Sequence, residues 1–252
     1  MPRETVALST SDGPCQTEVF TPEGSGPWPA VLFLMDAPGP RPALFDMAER
    51  LTRHGYLVLL PDLYHRATLP YTPQSIRELM RTPEGEKQWR TQYADPAMAQ
   101  ENFQTDLRAM LDYLPTRPDV RASGVGVTGY CMGGHLALRT AGLAPERVVA
   151  AASFHGGYLA TDTAASPHLL APRMKAQVYV ACADNDRSCP DDMKQRLDEA
   201  LTAAGVVHTV ETYAGARHGF AVPGNPTYDE AASERHWKAL LDLFERTLRP
   251  RA

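Results

Sequence analysis

The chain has no uninterrupted apolar run of about 18 residues, so it offers no membrane-spanning helix. Its opening stretch, MPRETVALSTSDGPCQ, lacks an apolar segment of the secretory kind, and no export signal is expected. Cysteine is scarce. The four present, Cys15, Cys131, Cys182 and Cys189, are too few for a disulfide scaffold in 252 residues. Neither C-x-x-C nor H-x-x-x-H stands near Cys182 and Cys189, so no zinc site is expected. Positive charge is not in excess either. A net charge of −5 gives no general attraction to nucleic acid or to an anionic membrane, and neither is expected as a partner. Repeats and low-complexity tracts are also missing. Reduced thiols in a cytoplasmic protein are the simplest expectation.

What is present is enough apolar residue, 43%, for a sizeable core. Short apolar runs bounded by Gly, Pro or Asp occur at Val31–Met35, Tyr56–Leu60, Gly124–Thr128, Val148–Phe154 and Val178–Cys182, with a more polar, β-branched run at Val206–Tyr213. Such runs predict strands buried on both faces, as in a parallel sheet. Helical patterns alternate with them at Ala43–His54, Ala97–Leu114, Met132–Leu143, Pro190–Ala204 and Tyr228–Leu248. Val6–Phe20 adds one or two antiparallel edge strands. The expectation is a single α/β domain over 1–252, with a mostly parallel twisted sheet of about seven or eight strands and helices on both faces. Residues 64–95 break the alternation with Pro70, Pro73, Pro83 and Gly85 and the aromatics Tyr71, Trp89 and Tyr93. That length predicts an excursion covering a pocket, with a surface insertion as the alternative.

The stretch GVGVTGYCMGGHLALRTA carries the chemistry. Strand, then Gly129-Tyr130-Cys131-Met132-Gly133, then helix has the form of a nucleophile elbow, in which small residues flank a strained nucleophile. None of the other cysteines is framed this way. The helix N-terminus favours thiolate, and the Met132 N–H there is a ready oxyanion donor. A thiol nucleophile needs a base, and the base an orienting acid, in the chain order nucleophile, acid, histidine. CADNDRSCPDD offers Asp184, Asp186, Asp191 and Asp192, and YAGARHGF offers His218. Asp191 and Asp192 read as first-turn residues of a helix. Asp186 is preferred as the acid, with Asp184 the alternative. His218 is preferred as the base, with His155 the alternative. His135, four residues past the thiol, is expected to be carried away from it by the helix.

These motifs together resemble the dienelactone hydrolase family of the α/β-hydrolase fold. GYCMGG is similar to that family's cysteine elbow, DRSCP to its acid loop, ARHGF to its histidine loop, and HGYLVLLPDLYHR to its second core strand and the loop after it. The resemblance selects Asp186 over Asp184. It also implies a fourth catalytic residue, Asp36 in FLMDAPGPRP, beside the resting thiol, and Ala37 as the second oxyanion N–H. The family's best-known member grips its substrate carboxylate partly through an arginine four residues past the histidine; here that place is Val222. Arg77, Arg81, Arg90 and Arg217 are the candidate replacements, with His155 and Tyr64 as further substrate-binding candidates. The expected function is a cysteine-dependent hydrolase of a small-molecule ester or lactone, without metal or organic cofactor. A non-enzymatic thiol sensor or binding protein on a hydrolase scaffold is the rival reading.

Overall fold

The structure is a computed structural model that describes residues 2–249. The chain divides into two compact units, the first ending at Arg121 and the second beginning at Ala122.

The first unit opens with the hairpin of β1 (Arg3–Thr10) and β2 (Gly13–Phe20), the antiparallel pair expected near the N-terminus. β3 (Ala30–Leu34), α1 (Pro42–Arg53) and β4 (Leu57–Pro61) follow. β3 and β4 are buried at every residue and pair in parallel, as continuous apolar runs predict. The strand order is β1-β2-β4-β3. Each fully buried Leu or Val contributes about 1.5–3 kcal/mol to such a core. α1 starts with proline at its first turn and buries Leu44, Met47, Ala48 and Leu51, the spacing of one helical face.

The excursion is more ordered than its prolines suggest. It contains α2 (Pro73–Leu79), α3 (Pro83–Trp89), a π-helical turn at Arg90–Ala94 and α4 (Asp95–Met98). Each of the first two begins with Thr-Pro. Thr72 accepts from the Ser75 N–H at 3.0 Å and Thr82 from the Gly85 N–H at 3.1 Å. The proline in each case takes the first helical position, where no N–H is needed. The prolines therefore start helices here instead of preventing them. The aromatics form one cluster, with Tyr64 5.2 Å from Tyr71 and 5.5 Å from Tyr93 between ring centres. α5 (Gln100–Tyr113) closes the unit, starting three residues later than the sequence pattern suggested.

The second unit runs β5 (Val125–Tyr130), α6 (Met132–Leu143), β6 (Val148–Phe154), β7 (Gln177–Ala183), α7 (Asp191–Ala203), β8 (His208–Tyr213) and α8 (Glu230–Leu248). β5-β6-β7-β8 lie in that order, all parallel. α6 is buried on nearly every side, as its run of Gly, Ala and Leu allows. β8 ends the row and is only partly buried, which explains its more polar sequence. α8 is capped by Asp229, whose carboxylate accepts from the Ala232 N–H at 2.9 Å. Among the described residues, no helix is long and apolar enough to cross a membrane.

Candidate active site

Cys131 stands between the end of β5 and the start of α6 with φ 56° and ψ −116°. A positive φ in a non-glycine residue is strained, and surrounding structure must hold it there. Two features do so. The Cys131 N–H donates to the Phe154 carbonyl at 3.1 Å, and the Cys131 carbonyl accepts from the Gly134 N–H at 3.0 Å. The turn is also too tight for a side chain at Gly129. A Cβ there would lie 1.9 Å from the Gly133 carbonyl oxygen. The glycine ahead of the cysteine is thus a steric requirement. Cys131 is partly exposed, whereas Cys15, Cys182 and Cys189 are buried.

His218 lies in the loop after β8 and Asp186 in the loop after β7. The His218 Nδ1 and Asp186 Oδ2 are 2.7 Å apart. Asp186 Oδ1 accepts from the Ser188 N–H at 2.8 Å and from the Ser188 hydroxyl at 2.7 Å. Burial pushes the Asp186 carboxyl up, but the His218 bond and charge and the two Ser188 bonds outweigh it, so its pKa lies below the ordinary carboxylate value. Burial likewise pulls the His218 imidazole down. The adjacent Cys131 sulfur, hydrogen-bonded to the ring, and the Asp186 carboxylate override that and raise it to about 11. Since Nδ1 faces Asp186, Nε2 is the nitrogen left for the sulfur. Sulfur, imidazole and carboxylate therefore form one connected line.

The two aspartate candidates are separated by geometry. Asp184 accepts from the Gly215 N–H at 2.8 Å and so ties the β7 loop to the loop that carries His218. Only Asp186 reaches the imidazole. Asp191 pairs with Lys194 at 2.8 Å in the first turn of α7. His135 is turned to the Gly157 carbonyl at 3.2 Å, and burial first, then Arg139, lower its pKa to about 4. His155 is fully buried, its ring 5.2 Å from that of His218, and neither ring nitrogen has a partner among the described residues. Burial, then the charges of His218 and His236, push its pKa well down, so it is neutral. Arg217 is exposed beside His218.

In the first unit, both oxygens of Asp36 are taken by Arg41, at 2.5 and 2.8 Å, and both side chains are almost wholly buried. The Tyr64 hydroxyl donates to the Ala37 carbonyl at 2.7 Å and accepts from the Trp89 indole N–H at 3.0 Å, so Tyr64 braces the loop holding Asp36 and Ala37. Arg90 bonds Glu86 at 3.2 Å, Arg77 is half-buried on α2, and Arg81 is exposed. Sequence reasoning missed Ser188 and Arg41. Ser188 occupies a variable place of the D-x-x-x-P loop. Arg41 had one signal, its position five residues after Asp36, but a loop pairing has no periodicity to read.

The family model for the dienelactone hydrolases matches residues 15–248. The chain belongs to the dienelactone hydrolase family. A carboxymethylenebutenolidase-like protein of Synechocystis sp. is 29% identical over 231 residues, covering 90% of each chain. Another from Methylorubrum extorquens is 25% identical over 247 residues, covering 95% of this chain and 79% of that one. Among solved structures, a Klebsiella pneumoniae protein assigned to the dienelactone hydrolases superposes with a TM-score of 0.84 at 23% identity, over 97% of this chain and 98% of the other. The fold is the α/β-hydrolase fold, and the member described here is an ester or lactone hydrolase.

Proposed function

We propose that this hydrolase works through a thioester on Cys131. Cys131 attacks the carbonyl carbon of the ester or lactone with its proton already held by His218. The tetrahedral oxyanion accepts hydrogen bonds from the Met132 and Ala37 N–H groups. As the C–O bond breaks, His218 returns its proton to the leaving oxygen. Water, deprotonated by His218, then cleaves the thioester and frees the acid and the thiol. Asp186 holds His218 in the tautomer and orientation this requires. The observation that carries the reading is the partly exposed Cys131 at positive φ with His218 between it and Asp186.

An enol ester or enol lactone suits this chemistry, because an enolate leaves more readily than an alkoxide. Asp36 is read, as the family resemblance implies, as a fourth group that restrains the resting thiol until substrate binds. All four cysteines are free, which supports the cytoplasmic setting in this reading. The test is denaturing mass spectrometry after mixing with an activated aryl ester. One acyl group on Cys131 is expected, together with loss of turnover by several orders of magnitude in Cys131→Ala. Normal turnover in Cys131→Ala would end the proposal.

A further inference from the structure

Ser188 fills a variable place in the DRSCP stretch and was given no role there, yet it makes two of the three bonds to the Asp186 carboxylate. Its N–H at 2.8 Å and its hydroxyl at 2.7 Å both point to Oδ1, while Oδ2 takes the His218 Nδ1 at 2.7 Å. The N–H contact closes a short turn from Asp186 onto its own backbone. That turn alone fixes where Oδ1 sits, but the terminal torsion of a carboxylate is broad, and one bond leaves it room to rock. The hydroxyl adds a second donor from another direction.

Ser188 is itself held in place. Its carbonyl accepts from the Tyr158 N–H at 2.6 Å. Gly157 leaves room for its side chain, since a Cβ at that position would stand 2.8 Å from the Ser188 hydroxyl oxygen. That oxygen also lies 3.4 Å from the His218 Nδ1, a longer contact than the nitrogen makes with Asp186. The Nδ1 proton therefore goes to Asp186, and the serine proton goes to the other carboxylate oxygen.

We propose that Ser188 is a positioning residue for hydrolysis: its hydroxyl pins Oδ1 of Asp186 so that Oδ2 meets the His218 Nδ1. The proposal rests on the reading of Cys131, His218 and Asp186 as the reacting line. It adds a residue to which the motifs marking that line assign no role.

The test compares Ser188→Ala, Ser188→Thr and Ser188→Val with wild type and with Cys131→Ala on the same aryl ester. Ser188→Ala lowers kcat about tenfold, the scale of one lost bond to a charged group, with KM unchanged. The acid limb of kcat/KM moves to higher pH, because a bond that favours ionised Asp186 is gone. Thr and Val have nearly the same shape, so their difference reads the hydroxyl alone: Thr keeps activity and Val loses it. In an Asp186→Asn background, Ser188→Ala adds no further loss. Equal activity in the Thr and Val variants, an unmoved acid limb, or the same loss in the Asp186→Asn background overturns the proposal. Activity retained in Cys131→Ala sinks the reacting line instead, so the two failures are told apart.

Discussion

Arg41 grips Asp36 by both carboxylate oxygens, and the pair is buried with 4% and 3% of the two side chains exposed. The Arg41 guanidinium also donates to the Gly39 carbonyl at 3.0 Å, so it binds the turn that follows β3 to itself. This is more than a loop cap. A buried charge whose partner is removed keeps its desolvation cost and loses its compensation.

Asp36→Asn should therefore lower unfolding free energy by about 3–5 kcal/mol at pH 7, measured by urea denaturation. A loss below about 1 kcal/mol would show that Arg41 finds other partners. On the thiol-switch reading, the same variant, while folded, should also react faster with iodoacetamide in the absence of substrate. An unchanged alkylation rate between pH 6 and 9 would leave Asp36 only its structural task.

The two acids of the β7 loop should separate cleanly. Asp186→Asn should cut kcat steeply, on the scale of the ~10⁴-fold loss known for a serine protease whose orienting aspartate is made an amide. Asp184→Asn weakens the bond to Gly215 and should cost about 1 kcal/mol of stability, with kcat nearly unchanged. Steady-state kinetics and thermal melts of both variants decide it. A large kcat loss in Asp184→Asn with a small one in Asp186→Asn would refute the assignment.

The pH dependence of stability has a definite sign. His218 titrates at about 11 in the fold against an ordinary value of 6.5, so folding favours its protonated form. That contribution is full below the ordinary value and disappears as pH rises through about 11. Asp186 is shifted the other way, so its contribution is present above the ordinary value of 3.8 and lost as pH falls through its lowered pKa. The stability difference between wild type and His218→Gln should shrink steadily from pH 6.5 to pH 11. A difference that is constant over that range, read by urea denaturation at each pH, would contradict the charge interaction with Cys131 and Asp186.

The sequence by itself determined the parts that depend on neighbours along the chain. The elbow was legible because its strain and its glycine are local: Gly129 must clear the Gly133 carbonyl four residues on, whatever else the molecule does. The buried strands were legible because burial on both faces demands unbroken apolar runs, as in β3 and β4. The excursion was half legible. Its prolines looked like breaks, and only the threonine before each showed that helices begin there. Tertiary structure decided what depends on residues far apart in the chain. Asp184 and Asp186 are equivalent by type and nearly so by position, yet their carboxylates face different loops, one the Gly215 N–H and the other His218. The partners of Asp36 and Tyr64 also lie across loops, where no helical or strand period relates the contacting residues. Hydrogen bonds are short-range and directional, so a carboxylate one residue along a loop can miss the imidazole that its neighbour reaches.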